Sequence, residues 1–238
     1  MGQTSATTDN DSLVISYLNL RKAIGIIGIA LPFVLVVGKW LLDRPGIQSS
    51  ISAYYHTVMR DVFVGILCAI GVFLFSYRGY ERRDNVAGTL AGIFAIGVAL
   101  FPTSRVEGAV ARDTIGLLHL VFAALFFLTL AYFSLVLFRK TDPRSPPTSR
   151  KKQRNVVYTV CGYGILACLA GIAGVSLFPA DAPIRDLDPV FWLEAAAVVA
   201  FGVSWLTKGE AILKDLHPPH PGADPRHAPH EPAAGVPR

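Results

Sequence analysis

The sequence predicts an all-α integral membrane protein, a bundle of six transmembrane helices. It contains six apolar stretches, most of them close to the roughly 20 residues that a helix needs to cross a hydrocarbon core of about 30 Å. Hydrophobic residues make up 52% of the 238 residues and charged residues only 16%, which is too apolar for a soluble domain. Because the backbone inside lipid must satisfy its own hydrogen bonds, these spans are expected to be helices.

The spans divide the chain into three parts. Residues 1–20 form a polar N-terminus, residues 21–210 the membrane domain, and residues 211–238 a Pro- and His-rich tail expected to be disordered. All three cysteines lie within spans and are interpreted as small packing residues. The predicted spans run from Ala23 to Leu42, Val62 to Tyr80, Val86 to Phe101, Ile115 to Phe138, Val156 to Phe178 and Phe191 to Leu206.

The distribution of positive charge predicts the orientation. Of the 22 Lys and Arg residues, 16 fall on the side that holds the N-terminus and 6 on the other. By the positive-inside rule, both termini are expected in the cytoplasm, with the protein in a cytoplasmic or plasma membrane. Since the net charge of +5 lies mainly in loops beside spans, we expect membrane lipids as partners and no nucleic acid; the oligomeric state stays open.

The third and fifth spans end in similar sequences. The third ends Gly-Val-Ala-Leu-Phe-Pro at Pro102, and the fifth ends Gly-Val-Ser-Leu-Phe-Pro at Pro179. Proline after a helix end is common, so chance and duplication are both open. Under duplication, spans three–four and five–six are related hairpins that place His119 and Glu194 at similar depth.

Candidate functional residues concentrate in the outer half of the predicted bundle. Ionisable groups inside membrane helices are costly and often functional. The candidate binding residues are Ser52, His56, Asp61, Arg105, His119 and Glu194. Arg112 and Asp186 are further charged residues in the loops on the same side.

Four of the candidates also have a structural explanation. Asp61 fits a carboxylate that neutralises a helix N-terminus, and His56 fits an interfacial loop residue. His119 fits a hydrogen bond to a neighbouring helix, and Glu194 fits a partner of His119 or a side chain that reaches outward. Their shared side of the membrane favours a polar cavity that binds a lipid head group or another amphiphile.

Several of these features together resemble a known group. They are a loop that ends Ser-x-x-x-His, an aspartate that opens the second span, the Leu-Phe-Pro end of the third, and a fourth span reading His-Leu-Val-Phe-Ala-Ala-Leu-Phe-Phe from His119. This pattern is similar to the six-helix membrane proteins of the DRAM and GPI-remodelling type and to a related uncharacterised bacterial membrane domain. The resemblance implies a compact six-helix bundle, an outer polar site and a lipid-linked role. It does not assign a reaction.

A weaker resemblance suggests an enzyme. Ser52-x-x-x-His56 followed by Asp61 is similar to the start of the CREST superfamily of membrane metal-dependent hydrolases. That superfamily completes its zinc site with a His-x-x-x-His pair on its last helix, whereas the sixth span here has Glu194 and no histidine. Zinc held by His56, Asp61, His119 and Glu194 is therefore the alternative to a protein without a cofactor.

No catalytic motif decides between these functions. The sequence has no Gly-rich phosphate loop, no Gly-x-Ser-x-Gly and no His-Glu-x-x-His. A small transporter is a further alternative, because glycines in the first and fifth spans and Pro32 are compatible with broken helices. The same glycines are compatible with close helix packing. The sequence thus predicts a multi-pass membrane protein, with amphiphile binding ahead of hydrolysis and transport.

Overall fold

A computed structural model of the chain describes residues 3–79, 81–104, 113–140, 148–179 and 181–213, with side chains from residue 18 onward. These residues form helices and turns, and no strand occurs among them. The all-α fold with six helices is therefore confirmed. The helices are α1 (Gln3–Leu42), α2 (Arg60–Ser76), α3 (Arg82–Leu100), α4 (Thr114–Tyr132), α5 (Ser149–Val175) and α6 (Pro189–Lys208).

The six helices form a closed ring. Each helix packs against its neighbours in sequence, and α6 packs extensively against α1 to close the ring. We call the end where α2, α4 and α6 begin the histidine end, and the opposite end the basic end. This arrangement brings the starts of α2, α4 and α6 together with the ends of α1, α3 and α5, which is where the sequence placed the candidate site.

Five segments are long and apolar enough to cross a membrane: Leu18–Leu42, Arg82–Leu100, Thr114–Leu137, Ser149–Val175 and Pro189–Lys208. The predicted second span is the short one, since α2 has 17 residues, or about 25 Å of helix. Large apolar side chains also cover the outside of the bundle, among them Phe33 and Leu128, which are 61% and 47% exposed. Such a surface suits hydrocarbon rather than water.

The segment before α2 determines where that helix begins, and α2 ends at Ser76, before the predicted end at Tyr80. A 3-10 turn, Ser52–His56, follows α1 and its connecting loop, and α2 begins only at Arg60. A helix that started near Ile51 would have included His56. The structure instead places His56 in the turn, outside the helix.

The glycines of α1 and α6 are packing positions. A Cβ atom on Gly25 would lie 2.8 Å from the carbonyl oxygen of Gly202, and one on Gly202 would lie 2.6 Å from the carbonyl oxygen of Gly25. The two backbones therefore approach as only glycine allows. Since α1 runs unbroken past Pro32 and α5 is also continuous, the structure gives no support to the broken helices of the transporter alternative.

An aromatic cluster fills the core near the basic end. Trp205 of α6 is fully buried and contacts Tyr77 and Phe138, with ring centroids 5.1 and 5.2 Å away. Phe133 lies in a π-helical turn, Phe133–Leu137, that extends α4, and its ring is 5.4 Å from Trp205. These edge-on and tilted contacts join α4, α6 and the end of α2 into one core.

Asp188 is the N-cap of α6 and Pro189 its first residue; Asp188 adopts a left-handed conformation, and its side chain makes no cap hydrogen bond. Two further expectations concern the chain ends. The polar N-terminus is helical from Gln3. The expected disorder of the tail concerns residues 214–238, which lie outside the described residues.

The duplication hypothesis stays a prediction. His119 is the sixth residue of α4 and Glu194 the sixth of α6, as related hairpins would have them. Their partners differ, however. His119 bonds to the end of α3 within its own hairpin, whereas Glu194 bonds to Ile51 in the loop after α1.

Candidate functional site

Glu194 of α6 binds the loop that follows α1 and so attaches that loop to α6. Its Oε2 accepts a hydrogen bond of 2.6 Å from the backbone N–H of Ile51, and the backbone N–H of Ser52 also stabilises the carboxylate. The backbone N–H of Phe191 donates to the carbonyl of Ser49 at 3.1 Å, which gives the same two segments a second connection. The predicted residues Ser52 and Glu194 are therefore neighbours, but Glu194 does not pair with His119.

Tyr54 completes this attachment from the 3-10 turn. Its side chain is fully buried, with its ring centroid 6.3 Å from that of Phe191. Burial raises the pKa of Tyr54, the backbone of Gln48 opposes the increase, and the charge of Asp188 adds to it. Tyr54 is therefore a neutral phenol at physiological pH, and it anchors the turn by packing.

A small central cavity lies beneath the turn. Its volume is about 30 Å³, which is room for one or two water molecules. A head group does not fit there, so the expected polar cavity cannot be this one. The lining residues are Leu31, Ile51, Ser52, Phe63, Leu67, Val98, Ala123, Phe126, Phe127, Glu194 and Val198.

His119 binds the end of α3. It is 5% exposed, and its Nδ1 lies 2.6 Å from the carbonyl oxygen of Phe101. Because a carbonyl only accepts, Nδ1 carries the proton and donates. Phe101 is the C-cap of α3, where a helix leaves carbonyls without an intrahelical partner. His119 therefore satisfies this group and fixes the path by which the chain leaves α3.

His56 binds the same segment two residues further on. Its Nε2 lies 2.7 Å from the carbonyl oxygen of Thr103 and, by the same reasoning, donates to it. His56 is exposed. The structure thus brings two of the predicted residues together on the three-residue segment from Phe101 to Thr103.

A third contact is made by the residue that follows this segment. Ser104 donates from Oγ to Asp113 Oδ2 at 2.8 Å, and Asp113 Oδ1 accepts from the backbone N–H of Ile115 at 3.1 Å as the N-cap of α4. The hydrogen bond from Ser104, with smaller contributions from backbone N–H groups, lowers the pKa of Asp113. Asp113 therefore stays ionised and joins the end of α3 to the start of α4.

The remaining predicted residues do not join this group. Asp61 is exposed in the first turn of α2 and makes no hydrogen bond or ion pair with any described residue, which fits a carboxylate that neutralises a helix N-terminus. Arg105 and Arg112 lie outside the described residues, so their predicted role stays a prediction. Asp186 lies in a second 3-10 turn, Pro183–Leu187, before α6.

The geometry gives no support to the zinc alternative. Within the described ranges, no group of three or more His, Cys, Asp or Glu side chains is placed to hold a metal ion. His56 and His119 each donate from one ring nitrogen to a carbonyl, Glu194 binds backbone N–H groups, and Asp61 stands apart. This donor set does not converge as a tetrahedral zinc site requires.

Sequence reasoning missed an oriented cation beside His56. Arg60 donates from Nη2 to the hydroxyl of Tyr55 at 2.9 Å, and its guanidinium lies 4.6 Å from the centroid of the Tyr55 ring. The ring of Tyr55 in turn meets the ring of His56 edge-on, with centroids 5.4 Å apart. The five-residue spacing of Tyr55 and Arg60 was visible in the sequence, but the turn between them concealed their contact.

Comparisons of the chain with protein-family models, with curated proteins and with solved structures give no significant match. The function therefore has to be argued from the geometry of the histidine end and from the rest of the described molecule.

Proposed function

We propose that the protein is a multi-pass protein of the cell membrane with both termini in the cytoplasm. The support is the excess of Lys and Arg on the basic end, where Arg21, Arg82, Lys140 and Lys151 all lie near the ends of spanning helices. Positive charge flanking spans is retained on the cytoplasmic side. On this orientation the histidine end faces away from the cytoplasm.

We further propose that the histidine end binds the head group of a lipid or another amphiphile. The observation that carries this proposal is the convergence of His56 and His119 on the segment from Phe101 to Thr103. Because the central cavity admits only water, the binding surface is the exposed end of the bundle rather than its interior. A ligand there keeps its apolar tail in the surrounding hydrocarbon, which suits an amphiphile better than a water-soluble molecule.

The exposed groups favour a phosphate-bearing head group. Tyr55 holds Arg60 by a hydrogen bond and by stacking, so the guanidinium is oriented before a ligand arrives and its other N–H groups can donate. The Nδ1 atom of His56 is not the atom that binds Thr103, and in the protonated ring it carries an N–H that can donate to a ligand. In this proposal Arg60 and His56 contact the phosphate, and His119 positions the end of α3 beneath them.

The test measures lipid binding by the purified full-length protein with native mass spectrometry. The probes are phosphatidylglycerol and a neutral diacylglycerol with the same acyl chains. We expect His56→Ala and Arg60→Ala each to weaken binding of the phosphate-bearing lipid about tenfold. Arg44→Ala is the matched control, since Arg44 is an exposed cation of the same end without an oriented side chain. Equal binding by all four proteins would refute the proposal.

The same experiment separates binding from catalysis. Lipid that is recovered unchanged after incubation supports a binding protein. Lipid recovered as fragments, with formation of the fragments lost in His56→Ala, supports the hydrolase alternative instead.

A further inference from the structure

A groove between α3 and α4 opens at the basic end, opposite the histidine end. Its volume is about 690 Å³, within the range of pockets that hold small ligands. The groove extends from Arg82 and Arg83 to Leu90, eight residues along α3 and therefore about 12 Å. Its lining consists of Arg82, Arg83, Val86, Ala87, Leu90, Leu125, Leu128, Thr129 and Tyr132.

The walls of this groove are apolar, and its mouth is cationic. Val86, Leu90 and Leu128 are between 41% and 48% exposed, so the groove opens sideways toward the membrane. Thr129 donates to the carbonyl of Leu125 and offers no free hydroxyl proton. Polar character is therefore concentrated where Arg82 and Arg83 stand, at the depth of lipid head groups.

The two arginines have no partner in the described part of the chain. The adjacent carboxylates are engaged elsewhere: Lys140 Nζ lies 3.0 Å from Glu81 Oε2 and 3.4 Å from Asp84 Oδ1. Glu81 and Asp84 also form the capping box of α3. Neither arginine takes part in a hydrogen bond, ion pair or ring contact with a described residue. Both guanidinium groups are thus exposed and available to an anion.

Arg82 and Arg83 are the first two residues of α3, so they stand side by side at one end of the groove. Glu81 and Asp84 already cap this helix end and are paired with Lys140, so they leave the charge of the two arginines uncompensated. A phosphate at this point would interact favourably with both guanidinium groups. Two adjacent cations at a helix start, above an apolar groove, are the combination that a phosphate joined to an acyl chain requires.

We propose that this groove is a binding site for an anionic phospholipid, with the phosphate at Arg82 and Arg83 and one acyl chain along Val86, Leu90 and Leu128. A second copy of the chain fits the groove less well. In a symmetric dimer across this face, Arg82 and Arg83 of both copies would approach one another and repel. On the orientation proposed above, the lipid belongs to the cytoplasmic leaflet, which attracts basic segments through its anionic lipids.

The test compares two lipids with identical dioleoyl chains, phosphatidylglycerol and phosphatidylcholine, bound to the full-length protein and counted by native mass spectrometry. The experiment is done in the His56→Ala/Arg60→Ala background, so that the site proposed at the histidine end contributes little. Because each basic residue contributes about 1 kcal/mol near an anionic surface, we expect the double variant R82Q/R83Q to bind phosphatidylglycerol roughly 30-fold more weakly. Binding of phosphatidylcholine should change little.

Two further variants make the result specific. R150Q/K152Q removes two exposed cations from the first turn of α5, at the same end but outside the groove, and should keep the preference for phosphatidylglycerol. Leu128→Trp fills the groove without loss of charge and should weaken binding of both lipids. An equal loss in R150Q/K152Q would show a general attraction of the basic end and overturn the proposal. A parent protein that does not prefer phosphatidylglycerol, or a groove occupied by a second copy, would also overturn it.

Discussion

The carboxylate of Glu194 and the backbone N–H of Ile51 form a hydrogen bond of 2.6 Å across 143 residues of sequence. The bond ties the loop after α1 to the second turn of α6. Because α1 and α6 are the first and last helices of the ring, this contact reinforces ring closure at the histidine end. Glu194 is therefore first a structural group in this fold, and of the two histidines only His56 is exposed, since His119 is buried.

Replacement of Glu194 should destabilise the bundle. Glu194→Ala leaves the N–H of Ile51 without its acceptor, and a buried donor left unsatisfied costs about 1–3 kcal/mol. We expect a loss of about 2 kcal/mol in the free energy of unfolding, measured by SDS titration in mixed micelles. Glu194→Gln keeps an acceptor oxygen and should lose less than half as much. Asp181→Ala, an exposed carboxylate of the same end, is the control, and equal stability of Glu194→Ala and the parent would contradict the assignment.

The fold was predictable because the membrane imposes simple rules on sequence. Long apolar stretches revealed the helices, and the proline at position 102 correctly marked the end of α3 near Leu100. The start of α2 was not predictable, since the segment from Ser52 to His56 has polar and aromatic residues that suit a turn or a helix equally. Hydropathy decides whether a segment lies in lipid, but it does not decide where a helix begins at the interface.

The site was predictable in part for a different reason. His56, His119 and Glu194 stood out as ionisable residues in or beside apolar spans, and the structure places all of them at one end. Their partners are backbone groups of Thr103, Phe101 and Ile51. Every residue carries such groups, so the sequence gives no sign of which ones a side chain will bind. That is why a pairing of Glu194 with His119, one of the two structural explanations for Glu194, is not what the structure has.

The close approach of α1 and α6 predicts a strong effect of substitution at Gly202. A Cβ atom there would lie 2.5 Å from Ile29 Cγ1 and 2.6 Å from the backbone carbonyl oxygen of Gly25, so the helices must move apart. We expect Gly202→Ala to cost about 1–3 kcal/mol of unfolding free energy. Gly164→Ala is the matched control, because nothing lies within 4 Å of its Cβ position. Equal stability of the two variants would show that the contact between α1 and α6 tolerates a methyl group at position 202.

The proposed orientation makes a direct prediction for reporter fusions. A reporter that is active only in the cytoplasm should be active at the C-terminus and in the loop near Pro146, because the basic end carries most of the positive charge. The same reporter inserted after Gln48, at the histidine end, should be silent. Activity after Gln48 together with silence at the other two positions would reverse the orientation, and with it the leaflet proposed for the anionic lipid.

The depressed pKa of Asp113 predicts how stability depends on pH. A carboxyl whose pKa is lower in the folded state contributes stability that is fully present above its unfolded pKa, near 3.8, and is lost as the pH falls through the folded pKa. Asp113→Asn keeps an acceptor for the N–H of Ile115 but does not titrate. The melting temperature of the parent protein should therefore exceed that of Asp113→Asn by a constant amount from pH 7 to about pH 4 and by progressively less below it. Ser104→Ala, which removes the largest cause of the shift, should reduce the difference at neutral pH. A difference between the parent and Asp113→Asn that does not change with pH down to pH 2 would mean that the hydrogen bond from Ser104 does not stabilise the ionised carboxylate.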